Sequence, residues 1–272
     1  MKESSLPVRN GQFEIDILEG GDGPPLLYLH GIGGLEWGPF LERLASSHRV
    51  IAPRTPGFGG STGSENLADI HDLVYFYLDF LDALDLRDLP IVGHSLGGMI
   101  AAELAAVQPE RFTKVVLIAP LGLWDPAHPV LDFFSVPPAE LAQAMYFDEK
   151  SEPAKALAST PQARLPEVDP DTEEGKAVID FYVERAKSMS TAAKYLWPIP
   201  NKGLSKRLHR VTQPTLLIWG ANDGICPPVY ADDFAAILHN VTLRLVPEAA
   251  HMVHAEQPDA VAELIEGFAS VG

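Results

Sequence analysis

One serine in the chain has the sequence context of a catalytic nucleophile. Ser95 lies at the centre of a G-x-S-x-G pattern at residues 93–97, which a further glycine extends. The apolar run Leu89–Val92 precedes the pattern, and residues 96–107 follow it as a candidate helix rich in alanine and glycine. A serine on such a sharp strand-to-helix turn presents its hydroxyl at the carboxyl edge of a sheet. The pattern therefore predicts that Ser95 attacks an acyl carbonyl.

A base and an acid follow later strands in the order that such a serine requires. Asp223 comes just after the apolar run Leu216–Trp219, and His251 follows the strand candidate Thr242–Val246. The order serine, acid, histidine, with each residue just beyond a strand, is far more specific than any one member. These residues are predicted to form a triad in which the acid orients the histidine and the histidine deprotonates the serine.

Other residues compete for two of these roles. Asp125, shortly after the apolar run Val115–Ala119, is the rival acid, and His254 is the rival base. His94 is adjacent to the serine, but neighbours on a tight turn point apart, so we expect it to pack or to hydrogen-bond inside the core. Cys226 is close in sequence to the preferred acid and is interpreted as a packing residue.

Acyl transfer also requires donors aimed at the oxygen on which negative charge develops. The N–H of Leu96, directly after the nucleophile, is one candidate. The sequence HGIGG at 30–34 follows the apolar run Leu26–Leu29, and the N–H of Ile32 is the second candidate. His30 is expected to hold this loop rather than to transfer protons.

The elements that must position these residues alternate between strands and helices. Short apolar runs, including Val50–Ala52 and an alternating segment at Gln12–Leu18, predict strands, and helical spacing of apolar residues fills the stretches from 67 to 84 and from 258 to 268. This alternation predicts an α/β fold with a doubly wound, mostly parallel sheet flanked by helices.

The alternation breaks between residues 120 and 207. This proline- and aromatic-rich stretch is predicted to be a helical cap inserted between core segments 1–119 and 208–272, and an irregular edge of the same domain is the alternative. It contains one amphipathic helix with Ala177, Val178, Phe181, Tyr182 and Arg185 on one side. Its aromatic residues could line an apolar pocket. The pocket candidates are Trp124, Phe134, Tyr146 and Trp197.

Composition and charge exclude several classes of function. The 272 residues carry 20 basic and 37 acidic side chains, a formal net charge of −17, and one cysteine. Such a chain repels phosphate backbones and anionic headgroups, so no nucleic-acid or membrane partner is expected. One cysteine excludes an internal disulfide framework, and no metal site is expected. Without an apolar leader at its N-terminus, the protein is expected to be cytoplasmic, as a monomer or homodimer.

The chain resembles the α/β-hydrolase fold family over nearly its whole length. The resemblance rests on HGIGG at 30–34, GHSLGG at 93–98, WGANDGICPP at 219–228 and EAAHMVHAEQPDAV at 248–261. It implies a helical lid after the sixth strand and a catalytic histidine at His251. A serine at the elbow argues against the haloalkane dehalogenase and epoxide hydrolase relatives, which use a carboxylate nucleophile. Arg54 departs from the family pattern, because an aspartate is common at that position.

These features predict a serine hydrolase that cleaves a moderately apolar carboxylic ester through an acyl-enzyme, without a cofactor. A carbon–carbon bond hydrolase of meta-cleavage products (vinylogous diketones) is the alternative. Its substrates carry carboxylates, for which Arg164, Arg185 and Lys194 are candidate partners. Lactone, thioester and perhydrolysis activities share the same machinery. A non-catalytic ligand-binding protein on the same fold is the alternative from another class.

Overall fold

An eight-stranded sheet forms the centre of the protein, as seen in a computed structural model that describes residues 1–160 and 167–270. The strands are β1 Lys2–Val8, β2 Phe13–Gly20, β3 Pro25–Leu29, β4 Arg49–Pro53, β5 Leu89–His94, β6 Phe112–Ile118, β7 Thr215–Gly220 and β8 Val241–Val246. Their order across the sheet is β1-β2-β4-β3-β5-β6-β7-β8. Strands β3 to β8 are parallel, and β1 and β2 are antiparallel to their neighbours. The predicted mostly parallel sheet is confirmed.

Helices cover both faces of this sheet. They are α1 Pro39–Ala45, α2 Ile70–Ala83, α3 Leu96–Val107, α4 Pro138–Met145, α5 Glu152–Ala158, α6 Glu173–Leu196, α7 Val229–Ile237, α8 Val253–Glu256 and α9 Pro258–Ser270. Within the described residues, no helix has both the length and the apolar character needed to cross a membrane.

Side chains of β3 show why both faces are covered. Leu27 and Leu29 belong to a buried cluster that includes residues of α2, α3 and α7. Leu26 and Tyr28 point the other way and join a second cluster with α1 and α9. Successive side chains of a strand alternate between faces, so a continuous apolar strand requires an apolar layer on each side. The doubly wound arrangement follows directly from these runs.

The predicted strands are all present, but their ends differ. The largest shift is in β6, which begins at Phe112 rather than Val115 because Leu89 pairs with Phe112 across a register shift in the β5–β6 ladder. Backbone pairing of this kind extends a strand beyond its apolar run. Helix α3 has the predicted bounds, whereas α2 begins at Ile70 because the Asp69 carboxylate accepts the N–H groups of His71 and Asp72.

Strand β1 was not predicted. Its sequence is mostly polar, and its first four residues are exposed. It is an edge strand that pairs antiparallel with β2 over seven residue pairs. Its pairing with β2 runs over the whole strand, whereas only Leu6 and Val8 pack against the core, so hydrophobic patterning does not reveal it.

Helices α4, α5 and α6 lie in the chain between β6 and β7, which is the expected place for an insertion after the sixth strand. Between Ile118 and Thr215, the described residues contain no strand. Apolar side chains of this region, such as Phe133, Leu141 and Tyr195, belong to the same buried cluster as α2 and α3. The division into core segments and a cap domain stays a prediction.

The predicted amphipathic helix is present, and the side that carries its five predicted residues is not buried. The helix exists as α6, but Phe181 is 57% exposed and Ala177 is also exposed. The buried residues of α6 concentrate in its last two turns, at Thr191, Ala192, Tyr195 and Leu196. Periodicity shows which side chains share a helix face, but only the tertiary packing shows whether another layer covers that face.

Candidate active site

Ser95 occupies a strained turn between β5 and α3. Its backbone has φ +55° and ψ −114°, which is unusual for a residue with a side chain. The Ser95 N–H donates to the Ile118 carbonyl at 2.9 Å, and the Ser95 carbonyl accepts the N–H of Leu121 at 3.1 Å. A Cβ atom at Gly97 would overlap the carbonyl oxygen of Leu29. The glycine therefore allows helix α3 to approach β3 closely enough to hold this turn.

The three predicted triad residues meet at the carboxyl edge of the sheet. The His251 ring lies between the other two, with Nε2 3.0 Å from Ser95 Oγ and Nδ1 2.9 Å from Asp223 Oδ2. A carboxylate only accepts hydrogen bonds, so Nδ1 carries the proton and donates to Asp223. In the neutral ring, Nε2 is then the acceptor of the Ser95 hydroxyl proton.

The Asp223 carboxylate is fixed on both oxygens. Oδ1 accepts the N–H groups of Ile225 and Cys226, each at 2.9 Å, while Oδ2 accepts from the histidine. The side chain is fully buried, and three donors compensate the cost of burying its charge. Burial and the neighbouring Asp223 raise the pKa of the Cys226 thiol, which fits the packing role expected of that cysteine.

Asp125, the rival acid, pairs with a different histidine. Asp125 Oδ2 accepts from His128 Nδ1 at 2.8 Å, and 36% of its side chain is exposed. The hydrogen bond from His128 lowers the pKa of Asp125. The structure therefore brings Asp223, and not Asp125, to the histidine.

His254, the rival base, packs against His94, which is hydrogen-bonded to the backbone of His251. The His254 ring centroid lies 4.2 Å from that of His94, and His94 Nε2 donates to the His251 carbonyl oxygen at 3.0 Å. Burial lowers the pKa of His254 to about 3 and holds that of His94 well below its usual range. Both rings are neutral near pH 7. His94 thus hydrogen-bonds inside the core, as expected.

The two candidate oxyanion donors belong to segments next to the serine, the start of α3 and the turn at residues 31–34. Leu96 is the first residue of α3, so its N–H has no partner one turn earlier in the helix. Ile32 lies in the turn that the Gly34 N–H closes on the Gly31 carbonyl at 3.2 Å. A Cβ atom at Gly31 would be 3.2 Å from Ser95 Cβ, so this turn lies directly beside Ser95.

A buried polar chain anchors that turn. His30 Nε2 accepts the Thr55 N–H at 3.0 Å, and His30 Nδ1 donates to the Gly31 carbonyl at 2.7 Å. The Thr55 hydroxyl is 2.8 Å from the Tyr77 hydroxyl. Burial lowers the pKa of His30 to about 4, so the ring is neutral and holds the loop. The sequence analysis missed Thr55 and Tyr77, because a threonine and a tyrosine far apart in the chain carry no local signal.

The pocket candidates are partly exposed aromatic residues of the inserted region. Phe134 and Trp197 contact each other edge to face, with ring centroids 6.1 Å apart, and Trp197 is 54% exposed. Trp124 is half-buried and follows Leu121, whose N–H is bonded to the Ser95 carbonyl. Tyr146 is half-buried, and burial raises its pKa.

A sequence profile of the alpha/beta hydrolase fold family matches residues 24–258. The chain belongs to this family. It is 28% identical over 258 residues to the dihydrolipoyllysine-residue acetyltransferase component of the acetoin cleaving system of Pseudomonas putida, which covers 92% of this chain and 65% of that relative. It is 27% identical over 281 residues to 2-hydroxy-6-oxo-6-phenylhexa-2,4-dienoate hydrolase of Burkholderia cepacia, covering 96% of this chain and 92% of that enzyme.

A solved structure has the same architecture. The crystal structure of a membrane phospholipase A, described as a bacterial virulence factor, gives a TM-score of 0.77 at 24% identity, with 98% of this chain and 85% of that chain covered. At this identity the likeness shows the fold.

The departure of this α/β-hydrolase at Arg54 has a structural explanation. The Arg54 guanidinium pairs with Glu3 of β1 and lies 3.6 Å from Asp16 of β2. Its side chain also lies against Gly59 in the following loop. The arginine therefore ties β1 and β2 to this loop and takes no part in the triad.

Three basic residues were candidate partners for a substrate carboxylate, and the structure describes two of them, Arg185 and Lys194. Lys194 Nζ donates to the Ser64 carbonyl at 2.6 Å, so its charge is directed at the backbone. Arg185 is half-buried on α6. Arg164 lies outside the described residues. Among residues 1–160 and 167–270, no group of three His, Cys, Asp or Glu side chains could hold a metal ion.

Proposed function

We propose that the protein is a serine hydrolase that cleaves a moderately apolar carboxylic ester through an acyl-enzyme. One observation carries the proposal: the His251 ring is within hydrogen-bond distance of both Ser95 Oγ and Asp223 Oδ2. This is the arrangement in which a histidine activates a hydroxyl and an acid stabilises the resulting cation.

Acylation begins with proton transfer from the Ser95 hydroxyl to His251 Nε2 as the oxygen attacks the ester carbonyl. The imidazolium forms beside the Asp223 carboxylate, which stabilises its charge. The N–H groups of Ile32 and Leu96 hold the oxygen that becomes negative. The imidazolium then protonates the departing alcohol, which leaves an acyl group on the serine.

Deacylation uses the same groups in reverse. His251 removes a proton from a water molecule that attacks the acyl carbonyl, and the negative charge again forms at the oxyanion donors. Collapse of the intermediate returns the proton to Ser95 and releases the carboxylic acid. The chemistry needs no cofactor.

The aromatic residues of the inserted region are proposed to select the acyl group. Trp124 and Tyr146 are attached, through neighbouring backbone hydrogen bonds, to the elbow and to the histidine loop. Phe134 and Trp197 form an aromatic pair at the surface. Replacement of Trp197 by Ala should raise the KM for an octanoyl ester more than the KM for an acetyl ester of the same alcohol.

The direct test is the Ser95→Ala variant with nitrophenyl esters as substrates. Loss of a nucleophile that acts as part of a triad lowers kcat by about 10⁵- to 10⁶-fold. A fluorophosphonate should label wild-type protein at Ser95 and leave the variant unlabelled. A folded Ser95→Ala protein that keeps most of the activity would contradict the mechanism. Absence of both labelling and turnover in folded wild-type protein would favour the non-catalytic binding role.

A second candidate is hydrolysis of a carbon–carbon bond in a meta-cleavage product. The similarity to the Burkholderia cepacia hydrolase favours it, since that enzyme matches nearly the whole chain. The bond between Lys194 and the Ser64 carbonyl disfavours it, because one candidate partner for a substrate carboxylate is already occupied. Parallel assays of a nitrophenyl ester and a ring-fission product would separate the two by their kcat/KM values.

A further inference from the structure

A short segment at the end of α4 contacts both loops that carry the acid and the base. This segment, residues 144–148, is called the clasp. The Gly224 N–H, next to Asp223, donates to the Ala144 carbonyl at 3.0 Å. The Met252 N–H, next to His251, donates to the Met145 carbonyl at 3.1 Å. The inserted region is therefore hydrogen-bonded to the neighbours of two triad residues.

Glu256 of α8 adds a further link between the clasp and the histidine loop. Its Oε1 accepts the N–H groups of Phe147 and Asp148 in the clasp, at 2.7 and 3.3 Å. Its Oε2 accepts the Ala250 N–H at 2.7 Å. One carboxylate thus joins the clasp to the residue that immediately precedes His251. Hydrogen bonds to an ionised acceptor are about twice as strong as neutral ones, so this link is a strong one.

On the basis of the proposed function, we propose that Glu256 is a positioning residue for the hydrolytic reaction. It holds the histidine loop against the clasp, and so keeps the His251 ring between Asp223 and Ser95. The role requires both oxygens, because one binds the inserted region and the other binds the loop. The catalytic geometry therefore depends on the contact between the inserted region and the histidine loop.

The Glu256→Gln variant tests this role with little change of volume. Its amide has one accepting oxygen and an NH₂ group that faces an N–H donor, so one side of the link is lost. A misplacement of about 1 Å in a catalytic group costs up to about a hundredfold in rate. We expect kcat for a nitrophenyl ester to fall by roughly ten- to a hundredfold. KM should change little, and the rate of fluorophosphonate labelling should fall in parallel with kcat.

The matched control is Glu263→Gln, which removes the same charge from an exposed position on α9. Its kcat and labelling rate should equal those of wild type. Equal rates in both variants would exclude the positioning role, as would a Glu256→Gln variant that melts earlier but turns over normally. Wild-type protein that is not labelled at all would instead contradict the proposed function.

A second pair of variants tests the clasp side of the link. Phe147→Pro removes the N–H that donates to Glu256, and the extended backbone of Tyr146, at φ −126° and ψ 133°, suits a residue before proline. Phe147→Ala keeps the N–H and removes only the side chain. We expect kcat to fall in the proline variant and not in the alanine variant. Equal kcat values in two folded variants would overturn the proposal that the clasp takes part.

Discussion

The carboxyl edge of the sheet and the first half of α6 differ in how completely their groups are packed and paired. At the sheet edge, Asp223 and His251 are buried, and each oxygen and nitrogen of the two side chains has a partner. On α6, Phe181 and Val183 are both more than half exposed. The candidate triad is therefore held by packing and by hydrogen bonds, whereas the first half of α6, which carries none of the four pocket candidates, is loosely covered.

The difference arises from the number of layers. The strands that lead to the candidate triad lie between two layers of helices, so their side chains are covered on both faces. Helix α6 packs on the core through its last two turns and through Lys187, whose Nζ donates to the Gly59 carbonyl at 2.6 Å. Catalysis requires fixed geometry, whereas variable loops and lids tolerate sequence change and adapt to ligands.

Within this comparison between the sheet edge and the surface, the largest effect is expected when one of two aspartates is replaced. Asp223→Asn should lower kcat by about 10⁴-fold, because an amide in place of the carboxylate favours the wrong histidine tautomer. Asp125→Asn should leave kcat unchanged, since that carboxylate binds His128 at the surface. Steady-state kinetics with one nitrophenyl ester measure both. A larger loss in the Asp125 variant would transfer the catalytic role to that residue.

Two phenylalanines test the difference in packing. Phe76 of α2 is fully buried, and its replacement by Ala should lower the free energy of unfolding by about 3–5 kcal/mol. Phe181→Ala should change it by less than about 0.5 kcal/mol, because the ring is already mostly in water. Urea denaturation followed by circular dichroism gives both values. Similar losses would show that the first half of α6 is packed as tightly as the core.

The smallest effect concerns the buried histidines of the core. His30 and His254 have pKa values lowered by burial, to about 4 and about 3. The unfolded chain therefore binds more protons in acid, and stability is lost as the pH falls below about 6.5. Each such histidine lowers the free energy of unfolding by about 1 kcal/mol between pH 6.5 and 5.5.

Denaturation midpoints at these two pH values measure this loss. His254→Phe should reduce it by the share of one histidine, whereas His239→Gln, at an exposed position, should leave it unchanged. An undiminished loss in the His254 variant would show that its ring is already charged or solvated in the folded protein.

The sequence by itself was sufficient to predict seven of the eight strands, all except β1, and the turn that carries Ser95. Continuous apolar runs fit a strand buried on both faces, which is why β3, β5 and β7 were predictable, and the glycines around Ser95 mark the turn before α3. These are local patterns of residue size and polarity, so they can be recognised without knowing which other segments pack against them.

Only the tertiary structure decided which groups meet. Asp223 and Asp125 have similar local sequence contexts, but only the first lies beside His251, and His254 packs on His94 instead of the serine. The two oxygens of Glu256 bind segments more than 100 residues apart in the chain. Such contacts depend on how segments far apart in the chain pack together. Local residue patterns do not show which of these segments will be in contact.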